Sequence, residues 1–309
     1  MITTVTLNAA IDKTYYVDHF ATGTMTRVPK MHAFPGGKGI NVARVAHLLG
    51  EPSLATGFVA GSNGQFIEKE LAKQGIGHDF VSIEGESRIC LNIIDRSTGA
   101  STEVLEQGPC AASGDLEAMA AKVGELAARS RIVSFSGSLL QGVPSDFYAR
   151  LIDTAKAAGA KVFLDTSGDA LLEGIQALPY FIKPNEDEVA KIIGRKLEKE
   201  SDLYESILDL IRGGIACVAV SLGEKGSIAG FEGQLYRIRA PRIEAVNTVG
   251  CGDSFVAGMA VGMSRGQSLE ECLRLATASG TANALMEEAG NVRPADVERL
   301  LSEVIIERV

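Results

Sequence analysis

Positive charge is in short supply in this chain, and long apolar runs are missing. Its 309 residues carry 30 Lys and Arg against 39 Asp and Glu, a formal net charge of −9. A nucleic-acid or anionic-membrane surface is therefore not expected. No apolar stretch approaches membrane-spanning length, and the chain opens on a strand-like Ile-Thr-Thr-Val-Thr-Leu at 2–7 rather than on a signal peptide. Cysteine is sparse as well. Cys90, Cys110, Cys217, Cys251 and Cys272 are odd in number, scattered and never spaced Cys-x-x-Cys, which fits reduced thiols in a cytoplasmic protein. Four isolated histidines offer no metal-ligand spacing. With an overall field that opposes anions, a phosphorylated ligand would have to be held by local cations and helix ends.

What the sequence does have is glycine in informative places. At 246–255 it reads Val-Asn-Thr-Val-Gly-Cys-Gly-Asp-Ser-Phe, followed by a small-residue apolar run. Glycines admit backbone dihedrals that side chains forbid. A glycine turn feeding a helix leaves its first N–H groups unpaired at the positive end of the helix dipole, an anion site made of backbone. Asp253 at the rim of such a site is costly unless it works, and the natural work is to take a proton from a hydroxyl attacking a phosphoryl group. The plain alternative is a turn with an acidic helix start. A second glycine turn, Gly-Gly-Lys-Gly at 36–39, precedes a helix whose Val42, Val45, Ala46 and Leu49 share a face and which ends at Gly50. It lacks the spacing of a Walker A loop. Asn41 lies one turn into that helix, within reach of the same ligand.

Residues 2–8 and 54–59 read as strands, 64–75 as an amphipathic helix, and 87–95 with 101–106 as paired strands. From about 115 onward strands and helices alternate: helices at 115–129, 145–158 and 201–213, strands at 131–135, 161–165 and 216–220. Two helices, about 252–265 and 269–287, end the reading. Such alternation predicts a parallel sheet with helices on both faces, an α/β fold of three layers. In these sheets ligands bind beyond the carboxyl ends of the strands. Turns 136–138, 183–188 and 221–226 fall there, together with the Gly-Cys-Gly-Asp motif.

Taken together, Gly-Gly-Lys-Gly-Ile-Asn-Val-Ala at 36–43 and Asn-Thr-Val-Gly-Cys-Gly-Asp at 247–253 resemble the two signatures of the PfkB carbohydrate kinases, of the ribokinase-like superfamily. The segments 6–12, 136–138 and 183–188 look like its hexose-phosphate branch, which includes 1-phosphofructokinases, tagatose-6-phosphate kinases and a minor 6-phosphofructokinase. The resemblance implies one three-layer α/β/α kinase domain over 1–309 with a small β lid, about 11–35 and 86–107, and it implies ATP and Mg²⁺. It makes Asp253 the base and the amides of Gly250, Cys251 and Gly252 the anion hole. Asp12, Gly37 and Asn41 would hold sugar hydroxyls, and Arg27, Lys38, Arg88 and Ser138 the acceptor's existing phosphate. Lys183, Asn185, Ser221, Gly223, Gly226 and Asn283 match nucleotide positions. Asn185 and Glu188 match an element that orders Mg²⁺ through water. Three positions depart from the pattern: Asn247 and Cys251 stand where aspartate and alanine are usual, and Ala9 where proline is. A thiol at a helix N-terminus is expected to have a lowered pKa and to be open to oxidation.

The expected reaction is ATP-dependent phosphorylation of a ketohexose phosphate at a primary hydroxyl, with fructose 1-phosphate favoured and tagatose 6-phosphate or fructose 6-phosphate as alternatives. Segments 85–90 and 103–109 look somewhat like tagatose-6-phosphate kinases. A non-catalytic sugar-phosphate or nucleotide sensor would be expected to have lost the base or the glycines, and both are kept. A kinase for an unphosphorylated sugar would not need Arg27, Lys38 and Arg88. The lid's Tyr15, Val17, Ile89, Leu91 and Ile93 could pair in a homodimer or fold over the site.

Overall fold

The computed structural model describes residues 1–309. The first part of the chain forms β1 (Ile2–Thr6), β2 (Ala10–Val17), β3 (Lys30–Gly36), α1 (Lys38–Leu48), β4 (Ser53–Ala60), α2 (Gly61–Lys73), β5 (Gly77–His78), β6 (Val81–Ile83), β7 (Arg88–Asp95) and β8 (Ser101–Leu105). Then come α3 (Ser113–Ala127), β9 (Ile132–Ser136), α4 (Phe147–Ala157), β10 (Lys161–Asp165), α5 (Gly168–Gly174), β11 (Phe181–Ile182), α6 (Glu186–Ile193), α7 (Glu200–Arg212) and β12 (Cys217–Ser221). The chain closes with β13 (Ser227–Phe231), β14 (Gln234–Arg239), α8 (Cys251–Ser264), α9 (Leu269–Asn283), α10 (Pro294–Leu301) and β15 (Ile305–Arg308).

The main sheet runs β15-β14-β13-β12-β11-β10-β9-β1-β4-β5, with β6 also on β4. It is parallel from β12 to β5, and β13 to β15 extend it antiparallel. Both faces of its strands are apolar, as burial on both sides requires. Ile2, Ile132, Phe163 and Phe181 point to one side and pack with Val42, Val256, Leu273 and Val297 of α1, α8, α9 and α10. Their sequence neighbours Val133, Val162 and Ile182, with Val5, point the other way, onto Met119, Phe147 and Ile207 of α3, α4 and α7. The result is the three-layer α/β/α arrangement expected. Each large side chain so buried contributes roughly 1.5–3 kcal/mol. No helix is long and apolar enough to cross a membrane.

The ends of the chain differ from the sequence reading. β13, β14, β15 and α10 lie outside its expectations, and the last long helix stops at Asn283 rather than 287. Pro294 sits in the first turn of α10, a start signal that a short segment makes easy to pass over. At Asn283 the side chain turns inward to hold a loop, and the chain leaves the helix there.

Beside the main sheet lies a second, four-stranded sheet, β3-β2-β7-β8. Its β2–β7 pair is parallel and its outer pairs are antiparallel. One rung carries Phe34, Asp12, Cys90 and Leu105, and the next Thr14, Asn92 and Glu103. All seven line a cleft between this sheet and the main body.

Candidate active site

Two adjoining cavities lie on the side of the main sheet where β11 and β12 end, and Lys183 and Ser221 at those carboxyl ends line one of them. The first, about 430 Å³, lies under the four-stranded sheet and is lined by Asp12, Gly37, Lys38, Asn41, Arg88 and Asp253, among others. The second, about 1160 Å³, is lined by Lys183, Ser221, Gly223, Gly226, Cys251 and Thr281, among others. Gly252 borders both. The glycine turn at the start of α8 thus forms the wall where the cavities meet.

That turn is built by Gly250, which N-caps α8 in the left-handed region at φ 84. A Cβ there would fall 2.5 Å from the amide nitrogen of Gly290, so neither the dihedral nor the packing admits a side chain. The amide of Cys251 turns back to Thr248 O at 3.3 Å, and Ser254 N is the next to bond, to Gly250 O. The N–H groups of Gly250, Gly252 and Asp253 donate to no carbonyl in the chain. Three free amides at a helix N-terminus suit an anion. Of the three amides read from the sequence, that of Cys251 is the one already engaged.

Asp253 is 6 % exposed. Its Oδ2 accepts from Asn41 Nδ2 at 2.9 Å, which brings the two glycine motifs together. Burial pushes the Asp253 carboxyl up, against the opposing pull of Lys38 and the Asn41 hydrogen bond, and its pKa lies above the usual carboxylate value. Asp12, on β2, is likewise raised, to about 6, by burial, against Arg44 and Arg88. A Cβ on Gly36 would stand 2.2 Å from the Asp12 carboxyl carbon. The glycine before the lysine turn is what lets β3 pass beside that carboxylate.

Between the cavities lies Asp165, at the end of β10 and 3 % exposed. The Nζ of Lys38 and the Nζ of Lys183 each lie 3.4 Å from it. Burial alone would raise its pKa, but Lys183 and Lys38 more than reverse this and hold it below the ordinary value. Lys38 is raised in turn, first by Asp165. A Cβ on Gly252 would sit 3.2 Å from Lys183 Nζ. The Lys183 ammonium therefore borders the free amides, and Lys38 joins it through Asp165.

The other sequence-read residues divide. Arg88 opens β7 inside the first cavity; its Nη1 donates to Glu106 O at 3.4 Å, and its Nε is buried without a partner. Arg27 lies exposed in the loop between β2 and β3 and lines neither cavity. Ser138 is outside both linings, and its hydroxyl accepts from Asn8 Nδ2 at 3.2 Å. Asn283 is fully buried and lines neither cavity. Its Oδ1 accepts from Ser254 Oγ and Asn291 N, and its Nδ2 donates to Val249 O. It braces the α8 turn from behind.

Asn185 and Glu188 form a reciprocal cap on α6: Glu188 N donates to Asn185 Oδ1 at 2.8 Å and Asn185 N to Glu188 Oε2 at 2.9 Å. No cluster of three or more His, Cys, Asp or Glu could hold a metal by itself. The expectation for Cys251 is overturned. Burial raises its thiol pKa, and the hydrogen bond from Asn283 opposes this only in part. The sequence reading missed Asp165, Arg44 and the loop at 288–290. Asp165 carried a usable signal, an acid at the carboxyl end of a central strand.

The family description pfkB family carbohydrate kinase matches residues 5–296. Among solved structures, a phosphofructokinase assigned as putative from Staphylococcus aureus is 32% identical, covering 100% of this chain and 99% of that one at a TM-score of 0.87. A possible 1-phosphofructokinase from Thermotoga maritima is 28% identical, with 100% and 99% covered and a TM-score of 0.90. Phosphofructokinase-2 from Escherichia coli, in complex with fructose-6-phosphate, is 25% identical, with 98% of each chain covered and a TM-score of 0.91.

Proposed function

The chain belongs to the pfkB family of carbohydrate kinases, and from that premise we propose that it transfers the γ-phosphoryl group of ATP to the free primary hydroxyl of a ketohexose phosphate, fructose 1-phosphate first among them. The observation that carries this reading is the pair of cavities meeting at Gly252, with Asp253 facing the one beneath the four-stranded sheet. A sugar phosphate belongs in the first cavity and ATP in the second. Arg88, whose buried Nε lacks an acceptor, binds the phosphate the sugar already carries, and Asp12 and Asn41 bind its hydroxyls.

Asp253 takes the proton of the attacking hydroxyl, a role that its raised pKa strengthens. Oxygens of the transferring group gather charge against the free amides of Gly250, Gly252 and Asp253 and against Lys38 and Lys183. The second cavity's Ser221, Gly223 and Gly226 line the nucleotide. The donor set near the junction is sparse, which fits Mg²⁺, an ion bound through few carboxylates, substrate phosphates and water. Glu188 and Asn185 would hold it through water, and it would neutralise phosphate charge. The four-stranded sheet acts as the lid, excluding water that would otherwise accept the phosphoryl group.

Exposed Met31 and Val104 on the lid's outer strands support a homodimer contact there. Free cysteines at all five positions support a cytoplasmic setting.

The resemblance of 85–90 and 103–109 to tagatose-6-phosphate kinases supports a second reading for the acceptor. A coupled assay of ADP release with fructose 1-phosphate, tagatose 6-phosphate and fructose 6-phosphate in parallel separates these. The highest kcat/KM is expected with fructose 1-phosphate. Turnover with none of the three would overturn the sugar-phosphate reading.

A further inference from the structure

Arg44 is 7 % exposed and sits inside the molecule, where a guanidinium is expensive to keep. It pairs with no carboxylate. Instead Nε donates to Gln74 Oε1 at 3.0 Å, Nη2 to Pro35 O, and Nη1 to Asn41 Oδ1 at 2.9 Å and Ala289 O at 3.4 Å. Each of these partners is an acceptor, and three belong to segments that build the site. Pro35 precedes the glycine beside Asp12, Ala289 precedes the glycine beside Gly250, and Asn41 reaches Asp253.

A carboxamide has one end that accepts and one that donates, whereas a guanidinium only donates and an ionised carboxylate only accepts. With Arg44 on one side and Asp253 on the other, Asn41 can satisfy both in a single orientation, Oδ1 to Arg44 and Nδ2 to Asp253. The reversed carboxamide would set nitrogen against guanidinium and oxygen against carboxylate. We propose that Arg44 is a positioning residue for phosphoryl transfer: it fixes which end of Asn41 faces Asp253, and so holds the base ionised and aimed at the acceptor hydroxyl. This rests on the function proposed above for Asp253. The relay itself can be read without turnover.

Asp253 is faced by Lys38 from α1, Asp165 from β10, Lys183 from the turn after β11, Asp12 from β2 and Arg44 itself. A charge effect of Arg44 must therefore be separated from its orienting effect. The test follows the Asp253 carboxyl by carbon NMR, with aspartate labelled and the resonance assigned through Asp253→Asn. It compares the wild type with Arg44→Met, Arg44→Lys, Asn41→Ala and the double variant Asn41→Ala/Arg44→Met. Arg44→Met is expected to raise the midpoint by about one pH unit, a tenfold loss of ionised base at a pH below it. Arg44→Lys, still a donor, keeps the wild-type midpoint. With Asn41 already truncated, Arg44→Met adds nothing, because the effect runs through the carboxamide.

A shift that persists in the Asn41→Ala background would overturn the relay in favour of charge alone, and an unmoved carboxyl in folded Arg44→Met would overturn it outright. Should Arg44→Met fail to fold, Asn41→Ala by itself decides, since it leaves Arg44's bonds to Pro35 and Ala289 in place. It must raise the midpoint, and an unchanged midpoint overturns the proposal. In the active enzyme the acidic limb of kcat moves with the carboxyl while KM for ATP stays within about threefold. A carboxyl that shifts as expected in a protein without sugar-phosphate kinase activity would uphold the relay and sink the function instead.

Discussion

Lys38 and Lys183 converge on one carboxylate from opposite cavities, each ammonium 3.4 Å from Asp165. Asp165 and Lys183 are nearly inaccessible, whereas Lys38 is partly open to the cleft. Two cations sharing one buried anion leave a net positive charge beside the free amides of the α8 turn. Removing the anion leaves the lysines facing each other without compensation. Asp165→Asn is expected to cost roughly 3 kcal/mol of stability, the usual result of breaking a buried pair from one side, and to lower kcat by at least about tenfold. Urea unfolding and steady-state kinetics on the same preparation check both. A variant as stable and as fast as the wild type would mean that the cluster neither holds the fold nor serves the reaction.

Asp253→Asn removes the base proposed above while keeping the shape of the side chain. Turnover should fall by about 10²–10⁴-fold, with ADP affinity by calorimetry unchanged within about threefold. In the wild type the group must be ionised to work, and burial has raised its pKa. The acidic limb of kcat/KM should therefore lie above the ordinary carboxylate range and vanish in the variant. Near-normal turnover by Asp253→Asn would take the base out of the mechanism.

The layers of this fold are legible because their signals are local. Strand runs such as 131–135 and 161–165, and the helix signals between them, depend only on nearby residues. The two glycine turns are legible for the same reason: φ-permissive residues immediately before a helix carry their meaning in a few positions. What stays hidden depends on contacts far apart in the chain. Arg44 lies among the buried residues of α1, but its partners at 35, 74 and 289 are set by tertiary packing, and nothing in the helix pattern marks a buried guanidinium. Asn283 reads as a nucleotide contact from the family resemblance, yet its side chain faces the α8 turn. Cys251 follows the helix-terminus rule for thiols only until burial outweighs the dipole.

Arg88 offers a buried Nε with no acceptor in the cavity assigned to the sugar phosphate. A charge-assisted hydrogen bond is worth about 1.5–3 kcal/mol. Arg88→Ala should thus raise KM for the sugar phosphate by roughly 10–100-fold and leave KM for ATP within about threefold. Lys38→Ala, beside both Asp165 and Asp253, should lower kcat as well. Equal KM effects on the two substrates in Arg88→Ala would contradict its assignment to the acceptor.

The raised thiol pKa of Cys251 makes a chemical prediction. Reactivity follows the thiolate, so alkylation near neutral pH should be slow there despite partial access. Iodoacetamide at pH 7.5, read by peptide mass spectrometry, should modify exposed Cys110 about tenfold faster than Cys251. Preferential modification of Cys251 would restore the activated thiol expected from the helix start.

Asp12 links function to stability through its sign. Its carboxyl titrates at about 6 in the folded chain against 3.8 when free, with burial the largest cause. Between those values the native state holds a proton that the unfolded state has released, so stability falls as pH rises from about 4 to about 6. Above that range the ionised carboxylate weighs against the fold by about 2–3 kcal/mol, because each pH unit separating the two midpoints is worth about 1.4 kcal/mol. Asp12→Asn keeps the shape without the charge. Urea midpoints should show the variant more stable than the wild type at pH 7, with the difference closing near pH 4. Its KM for the sugar phosphate should meanwhile rise, because the carboxylate that burdens the fold is the one assigned to the acceptor's hydroxyls. A variant no more stable at pH 7 than the wild type would place Asp12 in a better-compensated setting than burial beneath the four-stranded sheet implies.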